Sequence, residues 1–229
     1  MGFTTVLLDA DGTLFDFHTA QRQALENTLR AYSLPFSEQT LKIYESINEG
    51  LWRRLERGEI TKKQLLSSRF RLFFERLGVS ADGGRFNEDY LSALAEGVFL
   101  LPGALELCRR LHEHRRLYLA TNGVEYVQKK RLRLSALAPY IDGIFISEQL
   151  GYAKPDARFF DEAFARLGNP DRKGAILLGD SLSSDMLGAF QAGIAGCWYC
   201  PDENRQPQGV MPDYRIRHLE EFLPIVLGE

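Results

Sequence analysis

The feature that most constrains the fold is where strand-like sequence stops and where it resumes. Residues 3–9 hold a short apolar run, Val6-Leu7-Leu8, of the kind that forms a buried strand. From Phe17 to Val98 no further strand signal occurs. Apolar residues recur there at helical spacing in four stretches: Leu25, Leu29 and Tyr32; Leu41, Tyr44, Leu51 and Leu55; Leu66, Phe70, Phe73, Phe74 and Leu77; Tyr90, Leu91, Leu94 and Val98. A strand followed by a run of amphipathic helices implies a small all-α module inserted after it. The expected division is an α/β core made of residues 1–16 and 99–229, with a four-helix insert over 17–98.

After Pro102 the pattern alternates. Pro102 opens a helix carrying Leu105, Cys108 and Leu111. Residues 117–120 read as a buried strand that ends at Thr121-Asn122-Gly123, and residues 143–146 as the next. Pro155 opens a helix with Phe160, Ala163, Phe164 and Leu167, closed by Gly168. Residues 175–178 form a strand ending at Gly179-Asp180; a helix then runs to about Ala192 and stops at Gly193. Residues 195–199 read as the last core strand, and the polar segment 201–212, rich in Pro and Gly, as a loop near the active face. Strands alternating with helices imply a parallel sheet with helices on both faces.

The strand ends carry the chemistry. Asp9 and Asp11 lie two residues apart, so in an extended segment both carboxylates face one pocket. In open α/β sheets that edge is where ligands bind. Burying two acids together is costly unless a cation or a proton offsets the charge. Parallel strands bring Thr121, Lys154, Asp180 and Asp185 to the same edge. Three carboxylates, Asp9, Asp180 and Asp185, offer the oxygen ligands that suit Mg²⁺. Lys154 and the Thr121 hydroxyl are then placed to hold an anion. An anion beside Mg²⁺ and an aspartate nucleophile points to phosphoryl transfer.

Composition narrows the partners. The net charge of −3 provides no basic field for nucleic acid or an anionic membrane. No apolar run is long enough to span a bilayer, and the N-terminus lacks the pattern of a signal peptide. Three cysteines, an odd count, fit reduced thiols and a cytoplasmic location. The expected partner is a small-molecule phosphate ester.

Taken in order, Asp9-x-Asp11-Gly12-Thr13, Thr121-Asn122-Gly123, Lys154-Pro155 and Gly179-Asp180-x4-Asp185 resemble the four motifs of the haloacid dehalogenase superfamily. The resemblance implies a Rossmann-like core and makes the insert similar to that family's C1-type cap, which selects substrate. Within the superfamily, Asn48-Glu49-Gly50-Leu51-Trp52, Gly58-Glu59-Ile60-Thr61, Arg69-Phe70, Ile146-Ser147-Glu148, Gly151-x-Ala153-Lys154-Pro155, Ala192-Gly193 and Cys197-Trp198 resemble the pyrimidine 5′-nucleotidase branch. It implies a Mg²⁺-dependent phosphomonoester hydrolase, with Asp9 as nucleophile and Asp11 as acid and then base. Thr121, Asn122 and Lys154 would bind the phosphoryl group. The metal would be held by Asp9, the Asp11 main-chain carbonyl and Asp180, with Asp185 a direct or outer ligand. Cap closure would keep bulk water out until the leaving group departs. Sugar-phosphate, phosphoglycolate and N-acylneuraminate-9-phosphate phosphatases are the alternative substrate classes. A dehalogenase needs no acid for its leaving group, which Asp11 argues against, and a non-catalytic binding domain would have no use for the intact set.

Other features carry plainer readings. Cys197-x-x-Cys200 reads as ordinary thiols in or after a strand. His112 and His114 are spaced too closely to share a helix face. The runs Arg53-Arg54, Arg109-Arg110, Arg115-Arg116 and Lys129-Lys130-Arg131 read as solvated helix faces. Trp52 reads as a buried aromatic of the insert; Trp52, Arg53, Arg54 and Arg69 are the candidates there for substrate contact.

Overall fold

The computed structural model describes residues 2–228. The chain separates into two compact units, one holding the chain through Phe17 and again from Val98, the other spanning His18–Gly97. No helix among the described residues is long and apolar enough to cross a membrane.

The first unit is built on a 6-stranded parallel sheet. Its strands are β1 (Thr5–Leu8), β2 (Arg116–Thr121), β3 (Gly143–Ile146), β4 (Ala175–Gly179), β5 (Ala195–Tyr199) and β6 (Tyr214–Ile216). Their order is β3-β2-β1-β4-β5-β6. The central strand β1 is buried along its whole length, which is why it reads as a continuous apolar run. Its side chains alternate between two layers. Val6 and Leu8 join a core with Leu107, Cys108 and Leu111, while Leu7 joins another with Phe159, Phe160 and Phe164. The first layer is covered by α5 (Ala104–His112) and α10 (Phe222–Leu227), the second by α8 (Ala157–Arg166) and α9 (Leu187–Ala192). Helices therefore cover both faces of the sheet.

The second unit contains four helices: α1 (Phe17–Ala31, beginning one residue earlier), α2 (Glu38–Glu56), α3 (Lys62–Leu77) and α4 (Gly83–Leu94). Their starts are written in the sequence. The Ser37 side chain accepts from the Thr40 N–H, Thr61 and Gln64 form a capping box, and Asp82 accepts from the Gly84 and Arg85 N–H groups. The interior is aromatic. Phe70 packs on Phe86 with ring centroids 4.6 Å apart and stacks on Tyr44 at 5.2 Å, and Phe73, Phe74 and Tyr90 close the cluster. Arg69 is buried beside it, donating to Asn48 and Asn87 and lying over the Tyr90 ring.

Several expectations need correction. Residues 195–199 are not the last strand, because β6 pairs in parallel with β5 beyond them. β6 is only 3 residues long and follows a polar loop, so it leaves no apolar run to detect. On α3 the buried position is Leu65 and not Leu66, and on α5 Leu105 is exposed while Ala104 and Leu107 face the core. Trp52 is half-buried, with the Lys62 ammonium 5.8 Å from its ring centre, and is not a core residue. Residues 147–150 add a short helix, α7 (Ser147–Leu150), and the remaining helix of the core unit is α6 (Glu125–Leu134).

Candidate active site

The parallel register explains how distant residues meet. Leu8 pairs with Leu119 of β2 and with Leu178 of β4, so Asp9 emerges between the ends of both neighbours. Its N–H still donates to Leu178 O at 2.8 Å. The chain then folds back sharply. The Leu14 and Phe15 N–H groups both donate to Ala10 O, and the Gly12 N–H donates to Phe15 O at 2.9 Å. Gly12 has φ 84°, and a Cβ there would lie 2.6 Å from Asp180 Oδ2. Both the backbone angle and the close carboxylate demand glycine at this turn.

Asp180 follows β4, and a π-helical turn at Leu182–Met186 returns Asp185 to the strand end. Asp185 and Met186 both donate their N–H groups to Ser181 O at 3.0 Å, and the Ser181 N–H donates to Asp185 Oδ2 at 3.1 Å. Ligand oxygens of Asp9, Asp180 and Asp185 lie within 4.8 Å of one another. Among them sits Lys154. Its ammonium donates to Asp9 Oδ1 at 2.7 Å, to Asp185 Oδ1 at 2.6 Å and to Ala120 O at 2.5 Å. Lys154 and Asp185 are each 1% exposed, so this pair is protected from solvent screening.

One ammonium does not balance three carboxylates. Burial pushes Asp9 well above the usual carboxylate range; Lys154 opposes this, and Asp185 and Asp180 reinforce it. Burial and the neighbouring Asp185 push Asp180 up to about 7, against the pull of Lys154. Burial disfavours the charged form of Lys154, yet Asp185 and Asp9 outweigh it and hold the ammonium above the ordinary lysine range. The cluster is short of positive charge and presents hard oxygen donors. This donor set fits a small divalent cation such as Mg²⁺.

The anion-side residues are held by a second network. The buried Thr121 hydroxyl accepts from the Gly123 N–H at 2.9 Å, which fixes its oxygen and leaves its own proton to be donated. The Asn122 side chain donates to Lys154 O and accepts from the Lys154 N–H, both at 2.8 Å, and also donates to Ser184. The Asn122 amide thus anchors the lysine's main chain. Trp198, buried at the end of β5, donates its indole N–H to Asp180 O at 2.9 Å. The Thr13 hydroxyl donates to Asp9 Oδ2 at 3.3 Å.

Two residues escaped the sequence reading. Gln128 and Arg131 both donate to the Asp11 carboxylate, one to each oxygen. Arg131 therefore corrects the expectation of a solvated Lys129-Lys130-Arg131 face, since it is 0% exposed and its guanidinium lies 4.4 Å from the Phe15 ring centre. The i, i+3 spacing on the helix after Thr121-Asn122-Gly123 was the available signal. The three cysteines are free and buried, and burial pushes the Cys108 thiol up to about 12. His112 pairs with Asp142 and lies outside the cluster.

Residues 3–193 match the family model of haloacid dehalogenase-like hydrolases, and the chain belongs to that family. It is 36% identical to the HAD hydrolase YfnB of Bacillus subtilis, over 98% of this chain and 95% of that one. It is 36% identical to the pyrimidine 5′-nucleotidase YjjG of Escherichia coli, over 97% of each. It is 34% identical to the pyrimidine 5′-nucleotidase PynA of Streptococcus pneumoniae, over 97% of this chain and 94% of that one. The crystal structure of YfnB bound to magnesium superimposes with a TM-score of 0.93 over 99% of both chains.

Proposed function

We propose that this protein is a Mg²⁺-dependent phosphomonoester hydrolase acting on nucleoside 5′-monophosphates, with pyrimidine nucleotides preferred. The observation that carries the chemistry is the grouping of Asp9, Asp180 and Asp185 around the Lys154 ammonium. The substrate class rests on the similarity to two pyrimidine 5′-nucleotidases over nearly the full length of each chain.

In this reading Asp9 attacks phosphorus and forms an aspartyl-phosphate while the ester P–O bond breaks. Asp11 gives a proton to the departing alkoxide oxygen. It then takes a proton from water as that water attacks phosphorus and frees Asp9. The Thr121 hydroxyl and the Lys154 ammonium face phosphoryl oxygens, where fixed charge lowers the barrier without reorganising. Asn122 contributes through its main chain, because its side chain is engaged with Lys154. Mg²⁺ would be held by Asp9, the Asp11 carbonyl and Asp180, with Asp185 as an outer ligand since Lys154 and Ser181 already occupy its two oxygens. When bound it supplies the missing positive charge beside the phosphoryl oxygens. That the similar protein YfnB has been crystallised bound to magnesium supports the choice of metal.

Asp11 favours ester hydrolysis over dehalogenation, because a halide leaves without a proton. Selection among esters is assigned to the helical unit His18–Gly97, where Trp52, Arg53 and Arg54 are accessible and Arg69 is buried. The test is phosphate release from nucleoside monophosphates and sugar phosphates, with Mg²⁺ and with chelator. Metal-dependent release that is fastest for UMP, dUMP or dTMP is the expected result. A preference for sugar phosphates would replace the substrate class, and no release from any ester would overturn the reading.

A further inference from the structure

We propose that Gln128 and Arg131 are positioning residues that fix the Asp11 carboxylate for both of its proton transfers; this rests on the reading of Asp11 as the acid and base. Three observations on different elements converge. First, each oxygen of Asp11 has its own donor, Gln128 Nε2 on one and Arg131 Nη1 on the other, so rotation of the carboxyl group breaks a hydrogen bond at each oxygen, the one to Arg131 charge-assisted. Second, neither donor is free to follow. Arg131 is fully buried with its guanidinium 4.4 Å from the Phe15 ring centre, and Phe15 is the residue whose carbonyl accepts from the Gly12 N–H. Gln128 is 2% exposed. Third, a Cβ on Gly123 would lie 2.1 Å from Gln128 Nε2. Glycine at the end of the Thr121-Asn122-Gly123 turn therefore clears the path by which α6 reaches across to β1.

The arrangement separates the two aspartates by their surroundings. Asp9 is gripped by Lys154 and Thr13, whereas both oxygens of Asp11 accept from α6. An i, i+3 pair on one helix places both donors on the same face, so α6 acts as one rigid fork. A proton-transfer group must stay within hydrogen-bond reach of the leaving oxygen and later of water. Holding it at both oxygens supplies that constraint.

The test compares two leaving groups. UMP, or the best alkyl ester of the panel, leaves as an alkoxide and needs a proton. 2,4-Dinitrophenyl phosphate leaves as a stabilised aryloxide and needs none in the first step. For Arg131→Met the expected result with the alkyl ester is a fall of about 100-fold in kcat with KM little changed, the scale of a misplaced catalytic group. Gln128→Leu, which keeps the buried charge, is expected to fall by about 10-fold. With the aryl ester both variants should keep the rate of the first aryloxide burst. They should then turn over slowly, because hydrolysis of the aspartyl-phosphate still requires Asp11, and the phosphorylated enzyme should accumulate. Arg131→Lys should recover part of the loss. Equal losses in burst and steady state, or full activity in both variants, would overturn the proposal while leaving the phosphatase reading in place. A wild-type enzyme that releases nothing from either ester would overturn both. If Arg131→Met does not fold, Gln128→Leu decides the matter.

Discussion

At the scale of single residues, the site is an electrostatic problem solved with few charges. Asp9→Asn keeps the shape and removes the proposed nucleophile, so turnover should fall by on the order of 10⁴-fold or more with the circular dichroism spectrum unchanged. A variant that retains most of its rate would remove Asp9 from the role assigned to it. Lys154 poses the opposite case, a buried cation touching two carboxylates. Lys154→Met should cost about 3–5 kcal/mol in urea unfolding at pH 7, the scale for removing one partner of a buried pair. The loss should shrink at pH 5, where the crowded acids take up protons. Sequence alone brought Asp9, Asp11, Thr121, Lys154, Asp180 and Asp185 to one edge, because each ends a strand or follows one closely. It did not separate Arg131 from Lys129 and Lys130. Three adjacent basic residues look alike as text, and only the turn of α6 shows that the third points inward. Nor did it show that the Asn122 amide holds the lysine's backbone, a contact between residues 32 positions apart.

At the scale of elements, legibility followed the strength of the periodic signal. The helices of the second unit carry apolar faces at helical spacing, and those faces revealed them; the caps at Ser37, Thr61 and Asp82 are a further signal that the periodicity did not need. Register was less secure. Leu65 and Leu66 are adjacent leucines, and the choice between them turned on the buried Arg69, which hydropathy counts against the inward face. β6 was illegible because its pairing with β5 comes from the sheet edge and not from its own composition. The aromatic cluster gives this scale its prediction. Phe70 touches Tyr44, Phe73, Phe74, Phe86 and Tyr90, so Phe70→Ala should destabilise the helical unit by about 3–5 kcal/mol. Phe70→Leu, which fills more of the space, should cost less, and denaturant midpoints of the two variants will rank them.

At the scale of the whole molecule, the acidic cluster links stability to pH and metal. Asp180 has an ordinary value of 3.8 and reaches about 7 in the folded protein. Between those limits the folded chain keeps a proton that the unfolded chain has lost. The stability this proton confers is complete below the lower limit and is gone once the pH passes the upper one. Mg²⁺ competes for the same oxygens and must displace the proton at low pH. Stabilisation by Mg²⁺ should therefore be larger at pH 8 than at pH 5.5, reaching about 2.7 kcal/mol at a hundredfold excess over its Kd. Equal shifts at both pH values in thermal melts would contradict the assignment of Asp180 as a ligand.

The central place of β1 has a further consequence, for the order of assembly. Its two neighbours, β2 and β4, begin at Arg116 and Ala175, so β1 leaves a ribosome well before either strand that pairs with it. The helical unit is contiguous, and its contacts form within His18–Gly97. Local contacts close sooner than distant ones. On stalled nascent chains, protease resistance should appear over the helices first and over the sheet only after β4 has emerged. The chain thus completes the helical unit while β1 is still unpaired, and the residue proposed as nucleophile is translated before the strands that set it in place.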